Sequence, residues 1–180
     1  MNQDFLGSSK KWDWETPWGD FKKINAVFHF KLDAAATLEN SKCDTCITPE
    51  QDAFKTEWTP TPWFLNPPWG VAYKKEYGIT MMDWVRRIND QVMLGYDGVF
   101  LCSARVDTEW WHTATMLASY ILFPRRRIKF VDPNRTKKSS PTFPSCYIIY
   151  WDKPLTDEQY KRLGKIGILV EVCGPLATAS

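Results

Sequence analysis

The sequence predicts an α/β fold: a mixed, mostly parallel sheet with helices on both faces. Three observations carry that expectation. Apolar runs of strand length alternate with segments of helical periodicity along most of the chain. Those apolar runs hold few polar interior positions, as strands covered on both faces do. A chain of 180 residues, 44% hydrophobic and 24% charged, is long enough for one domain whose core needs neither metal nor disulfide. The expected organisation is a polar arm over 1–12 and a single domain over 13–180.

Each element has a local reason. Thr16-Pro17 opens a helix, Thr16 capping and Pro17 supplying a pre-set φ at the first position, and the helix runs to about Asn25. Ala26 to Asp33 alternates Val27 and His29 with Phe28, Phe30 and Leu32 and reads as a strand. A loop-rich stretch follows, with one short helix from Thr48. Pro62 to Leu65 is a buried strand stopped by Asn66-Pro67-Pro68. Thr80 to Leu94 is a helix with Met81, Trp84, Val85, Ile88 and Val92 on one face, a capping box at Thr80 and Asp83, and Gly95 behind it. Gly98 to Cys102 reads as a strand, and Asp107 caps a helix to about Leu117. Tyr120 to Phe123, Ile128 to Val131 and Cys146 to Trp151 read as strands. Thr156 and Gln159 form a second capping box, with Leu155 and Tyr160 spaced as a hydrophobic staple. That helix stops near Gly164, and Gly167 to Cys173 closes the series as a strand.

Composition narrows the function. No apolar run approaches the roughly 20 residues that cross a bilayer, and Met1 to Lys11 has no secretory signal pattern, so the expected setting is the cytoplasm with no membrane partner. Of five cysteines, Cys102, Cys146 and Cys173 lie in apolar runs and read as reduced core residues. Cys43-x-x-Cys46 is a single pair, with only His29 and His112 as further ligands, so no metal is expected. A net charge of +2 does not itself indicate nucleic acid. Ten Trp, ten Phe and seven Tyr are an unusual content; some of these rings belong to the core, and flat rings are also what a nucleobase site requires.

In sheets of this class ligands bind beyond the carboxyl ends of strands. Asn66-Pro67-Pro68-Trp69 follows such a strand. It reads either as a plain proline turn with Trp69 packed on its own domain, or as a site for an exocyclic amino group. In the second case two prolines stiffen the turn, and the Asn66 side-chain oxygen and Pro67 carbonyl both accept from the amine while Trp69 stacks on the flipped base. An aromatic amino nitrogen is a poor nucleophile because its lone pair is delocalised. Two fixed acceptors favour the rehybridised, attacking form. Upstream lie Thr16-Pro17, Asp33-Ala34-Ala35-Ala36 and Asp52-Ala53-Phe54. Singly these read as a cap, a strand-end turn and a solvated charge; their order is that of cofactor-binding elements in amino-group methyltransferases.

As an ordered set these motifs resemble the phage-type DNA adenine-N6 methyltransferases, the Dam-like family of bacteriophages and prophages. The resemblance runs from about Trp12 to Trp151. It rests on Trp14-Glu15-Thr16-Pro17, Leu32 to Thr37 with Asn40, Asn66 to Trp69, Ser103 to His112, Arg127-Ile128-Lys129-Phe130 and Pro144-Ser145-Cys146. It implies a Rossmann-like class I methyltransferase fold, S-adenosylmethionine as donor and adenine N6 in double-stranded DNA as acceptor. By position it assigns Thr16, Pro17, Asp33, Ala34, Asp52, Phe54 and Asn66 to the cofactor, with Thr16-Pro17 near the methionine end, Asp33 on the methionine amine or ribose, and Asp52 and Phe54 on the adenine. Asn66, Pro67, Pro68 and Trp69 form the catalytic turn. The chain departs from its relatives in three places: alanines without Gly-x-Gly follow Asp33, Arg126 replaces a usual Gly, and Ser103 a usual Pro.

Arg125, Arg126, Arg127, Lys129, Arg135, Lys137 and Lys138 put seven positive groups within fourteen residues, either a solvated loop or a grip on phosphates. Arg105 lies at a strand end near the expected catalytic face. Target recognition falls to the loops after Pro68 and around Asn134 to Phe143, since no sizeable insertion exists. The expected molecule is a monomer or weak homodimer; protection of a phage genome from restriction is what the resemblance alone implies. The alternatives are a cytosine-N4 or RNA adenosine methyltransferase and a catalytically silent DNA-binding decoy. His112 has no expected role as a base, because the amino proton can leave to solvent.

Overall fold

A computed structural model describes residues 14–68, 70–131, 138–139 and 143–173, with backbone alone for 71, 72, 138 and 139. The first helix, α1 (Trp18–Phe28), corrects the sequence reading at both ends. Pro17, not Thr16, is the N-cap: its carbonyl accepts from the Asp20 and Phe21 amides at 3.0 Å, and no side chain caps the turn. The helix then continues through residues read as a strand, because Phe21, Ile24 and Phe28 fall on one buried helical face that the local alternation disguised. His29 ends it in the left-handed conformation (φ 55°), and the Asn25 side chain accepts the Phe30 amide at 2.7 Å. Only Leu32–Asp33 remains extended, as β1.

Beyond it β2 (Thr45–Cys46) pairs parallel with β1, an element too short to carry a sequence pattern. The helix expected from Thr48 is a succession of turns around Asp52, whose φ is 59°. β3 (Trp63–Leu65) leads to α2 (Val71–Tyr77), a helix between two glycines that the sequence did not announce. α3 (Met81–Met93) carries the expected Thr80–Asp83 capping box. β4 (Gly98–Ser103) follows, and then α4 (Glu109–Thr115), capped at Thr108 rather than Asp107. β5 (Tyr120–Pro124), β6 (Phe130–Val131), β7 (Lys138–Ser139) and β8 (Ser145–Tyr150) come next. α5 (Asp157–Ile166), with both bonds of the Thr156–Gln159 box made, continues past Gly164 into β9 (Gly167–Glu171).

Seven strands form one sheet in the order β2-β1-β3-β4-β8-β5-β9, and β6-β7 is a separate ribbon. β2, β1, β3 and β4 are parallel neighbours, whereas β4-β8, β8-β5 and β5-β9 are antiparallel. The sheet is therefore mixed in its pairing, although β1 to β5 all point one way. Along β4 and β8 the pleat sends side chains alternately into two cores. Phe100, Cys102, Ile148 and Tyr150 join Trp84, Ile88, Trp111 and Ala114 beneath α3 and α4. Val99, Leu101, Tyr147 and Ile149 join Phe21, Ile24 and Leu163 beneath α1 and α5. This is the α/β layout, a mixed sheet covered by helices on both faces, that the sequence predicts. Cys102 and Cys146 face each other across the ladder with sulfurs 3.6 Å apart, but Cys173 is exposed and not a core residue.

Gly98 fixes the meeting of β3 and β4. A Cβ there would fall 2.0 Å from the buried Trp63 ring, which cannot withdraw because its indole N–H is held by the Tyr96 carbonyl at 2.9 Å. Gly98→Ala is expected to destabilise the fold by about 1–3 kcal/mol in urea titrations, by overpacking rather than backbone strain.

Candidate active site

A cavity of about 360 Å³, within the range of small-ligand sites, opens at the carboxyl ends of β1 and β3. Asp33, the last residue of β1, lines it and is buried. Its carboxylate accepts the Lys42 backbone N–H at 2.9 Å. Burial nevertheless pushes its pKa up to about 7, the Lys42 amide and charge only partly offsetting the loss of water. Such a carboxylate is short of positive charge. Thr16, also buried and lining the cavity, has a hydroxyl oxygen with no hydrogen-bond partner among the described residues. Buried polar atoms are ordinarily paired, so both groups fit a polar, partly cationic ligand.

Asn66 follows β3 on the facing wall. Its amide nitrogen donates to the Trp14 carbonyl at 3.0 Å, which fixes the amide plane and leaves the oxygen as the acceptor. Pro68 lines the cavity beside it, while Pro67 is buried in the turn. Trp69 lies outside the described residues. Of the other sequence candidates, Asp52 and Phe54 line the cavity. The Asp52 carboxyl is held below the usual range by Lys55, 2.8 Å away, and by the Phe54 amide at 3.0 Å. Pro17 and the fully buried Ala34 are not on the cavity surface but support Thr16 and Asp33, their neighbours on it.

Two groups of residues escaped the sequence reading. Tyr73 and Tyr77 of α2, Trp84 of α3 and Ile79 between the two helices complete an apolar wall, and the Trp84 and Phe54 rings lie 4.5 Å apart. The i, i+4 spacing of Tyr73 and Tyr77 was the available signal. The second is Lys42, whose buried ammonium lies 3.2 Å from Glu15, donates to the Asn40 carbonyl at 2.9 Å and covers the Trp18 ring at 4.7 Å. It ties the segment before α1, which supplies Thr16, to the loop that follows Asp33 at the end of β1. Lys42→Met strands Glu15 beside an apolar stem. Its expected cost is about 3–5 kcal/mol in chemical denaturation, and Glu15→Gln in the same chain should recover part of it.

Arg125, Arg126, Arg127 and Lys129 follow β5 on the same edge of the sheet and are exposed. From there the chain returns to the cavity, where Val131 exchanges two backbone hydrogen bonds of 2.9 Å with Glu15. Arg105, beyond β4, has Asp107 4.0 Å away and lies over the Phe143 ring at 4.5 Å. Arg135 and Lys137 lie outside the described residues, and Lys138 is described by its backbone in β7.

The family described as DNA N-6-adenine-methyltransferase (Dam) has a sequence model that matches residues 6–167. The chain belongs to the Dam family. No curated protein matches it. Membership of the Dam family makes the reaction methyl transfer to the N6 amino group of adenine in DNA, and neither fold nor family favours cytosine-N4, RNA or a silent module. The cavity lies at the carboxyl ends of the parallel strands β1 and β3, with Asn66 among its lining residues. No helix among the described residues is long and apolar enough to cross a membrane.

Proposed function

We propose that the cavity binds S-adenosylmethionine and that the Asn66 turn receives an adenine flipped out of double-stranded DNA. The observation that carries this reading is the Asn66 amide, its nitrogen occupied by Trp14 and its oxygen left to accept from an amine. When bound, S-adenosylmethionine supplies an electrophilic methyl group on a cationic sulfur. The residues present fit it: Asp33, pushed up to about 7, is stabilised as the anion by a nearby positive group, and the orphaned Thr16 hydroxyl gains a partner. The N-terminus of α1, behind Pro17, suits the methionine carboxylate. Asp52 and Phe54 take the adenine end.

Asn66 Oδ1 and the Pro67 carbonyl would accept hydrogen bonds from the two N6–H groups and favour the rehybridised nitrogen, whose lone pair is drawn out of the ring. With S-adenosylmethionine held there as the source of an electrophilic methyl group, the N6 lone pair would be aimed at it, and the surplus N6 proton would leave to water. Alignment supplies much of the acceleration, because the nucleophile and methyl group are brought to near-contact. The chain's own contribution is thus orientation and two fixed dipoles, with no general base.

The test is nucleoside mass spectrometry on unmethylated DNA incubated with the protein and S-adenosylmethionine. N6-methyladenine dependent on that donor is the expected product; its absence, or N4-methylcytosine in its place, overturns the reading. The exposed cluster is assigned to phosphates. Replacing Arg125, Arg126 and Lys129 together by Ala is expected to weaken DNA binding and flatten the slope of log Kd against log salt by about 3, since each phosphate contact contributes about 0.9.

A further inference from the structure

The far edge of the sheet, β9, has a hydrogen-bonding pattern fixed by its two ends. The Val172 amide donates to the Ser119 carbonyl at 2.9 Å, and the Ile166 carbonyl accepts the Arg125 amide at 3.1 Å. In an antiparallel ladder the backbone groups of alternate residues face the same neighbour. The register with β5 is unbroken from Gly167 to Glu171. Ile166, Ile168, Val170 and Val172 therefore direct their backbone groups to β5, while Gly167, Leu169 and Glu171 turn theirs outward. The Gly167 N–H closes α5 on the Leu163 carbonyl. That leaves the Gly167 carbonyl and both backbone groups of Leu169 and Glu171 facing out, with no partner strand among the described residues.

The side chains alternate in step. Ile168 and Val170 lie on the α3–α4 face beside Phe123 and Ile121, yet they are 66% and 44% exposed. Leu169 and Glu171 lie on the α5 face beside Leu122 and Tyr120, and Glu171 is exposed. Sheet edges are ordinarily guarded by proline, lysine, a bulge or brevity. The opposite edge, β2, is two residues long. β9 has five residues and none of those guards.

We propose that β9 pairs antiparallel with β9 of a second copy of this chain, about a twofold axis at Leu169. In that register the two Leu169 residues exchange both hydrogen bonds, and the Glu171 N–H of each copy reaches the Gly167 carbonyl of the other. Only outward-facing groups are used. Ile168 of each copy lies opposite Val170 of the other at cross-strand contact distance, so the two exposed apolar side chains cover each other. Glu171 lies across from Gly167, which has no side chain, and so meets Lys165, exposed at the end of the second copy's α5. Such a patch is self-complementary and closes at two copies. A slip of one residue would set outward groups against groups already bonded to β5. Strand direction alternates through β5, β9 and their counterparts, so the two cavities open at opposite ends of the joined sheet. Neither is covered, because each lies at β1 and β3, several strands from the contact. The inference is independent of what the cavity binds.

The test measures the mass of the full chain by light scattering after gel filtration, loaded from about 1 to 100 μM, the range in which small interfaces associate. The mass is expected to rise from one chain to two, and the Leu169 and Glu171 amides to exchange with deuterium at least about tenfold more slowly at the upper concentration. Ile168→Lys with Val170→Lys sets like charges opposite each other and should hold the protein at one chain mass. Ile168→Glu with Val170→Lys sets each Glu opposite a Lys of the other copy and should restore the doubled mass, in a salt-sensitive form. Circular dichroism verifies that each variant is folded. Leu169→Pro, which removes only an outward N–H, gives a third route to the single chain mass. A parent that keeps one chain mass throughout overturns the proposal. So does a doubled mass that survives the Lys/Lys pair, which would place the contact elsewhere, or Glu/Lys and Lys/Lys variants that behave alike, which would exclude this register.

Discussion

Asn66→Ala is expected to lower kcat for adenine methylation by about 100- to 1,000-fold, the usual consequence of deleting one preorganised dipole from a charge-developing centre. The developing charge here is positive, on the attacking nitrogen, and the acceptor lost is the side-chain oxygen whose plane the Trp14 carbonyl fixes. Because Trp14 holds the amide nitrogen, the oxygen is oriented before substrate arrives, and reorganisation is avoided at the moment of reaction. S-adenosylmethionine affinity should change by no more than about threefold, since Asp33, Thr16 and the aromatic wall remain. Single-turnover methylation together with calorimetric cofactor titration separates the two quantities. A large loss of cofactor affinity with kcat preserved would move Asn66 from the reacting nitrogen to the cofactor.

Asp33→Asn is expected to abolish a pH dependence. With its pKa pushed up to about 7, Asp33 is largely protonated at pH 6 and largely ionised at pH 8. If a cationic ligand binds the ionised form, affinity for S-adenosylmethionine rises about tenfold across that interval, with a proton released below pH 7. The Asp33→Asn variant should bind weakly and show no such rise. Stability of the ligand-free protein moves the other way. Between the ordinary carboxylate value of 3.8 and about 7 the folded chain holds a proton that the unfolded chain has released, so stability falls as pH rises through that window. Above it the buried carboxylate costs on the order of 4 kcal/mol, at about 1.36 kcal/mol per unit. Asp33→Asn should therefore be more stable than the parent at pH 8 and nearly equal at pH 4, by urea midpoints. A parent whose cofactor affinity is flat from pH 6 to 8 would count against an ionised Asp33 in the site.

Stability and activity thus oppose each other at one residue. On the proposed reading, the carboxylate whose burial costs stability in the ligand-free protein is the group that would meet a cationic donor, and its interaction energy would be realised only when that positive charge binds. Lys42 relieves it only in part, because its ammonium is committed to Glu15 and Asn40 and its amide alone donates to Asp33.

Much of this was legible in the chain. Capping boxes at Thr80 and Thr156 are written in four consecutive residues each, and both form. The core strands β3, β4, β5 and β8 are apolar runs bounded by polar or turn residues, and a local signal suffices for them. The order of Thr16, Asp33, Asp52 and Asn66 along the sequence carried the family resemblance before any contact was known. The misread segment is instructive: Ala26 to Asp33 alternates as a strand should, yet Val27 and Phe28 complete a helical face begun at Phe21, and burial against the sheet decided between two patterns present at once. Two-residue β2 and the glycine-flanked α2 had no pattern long enough to read.

The residue types of the site, their order and the fold that carries them were determined by the sequence alone, because capping, apolar runs and turn chemistry act between near neighbours. Tertiary structure decided the rest: that Lys42 pairs with Glu15 through its ammonium while its amide donates to Asp33, that Trp14 orients Asn66 from fifty-two residues away, that Tyr73 and Trp84 wall the cavity, and that Phe143 stands under Arg105. Such pairings join residues far apart in the chain. Their strength comes from excluding water around partners that only the closed sheet brings together, and no local spacing encodes it.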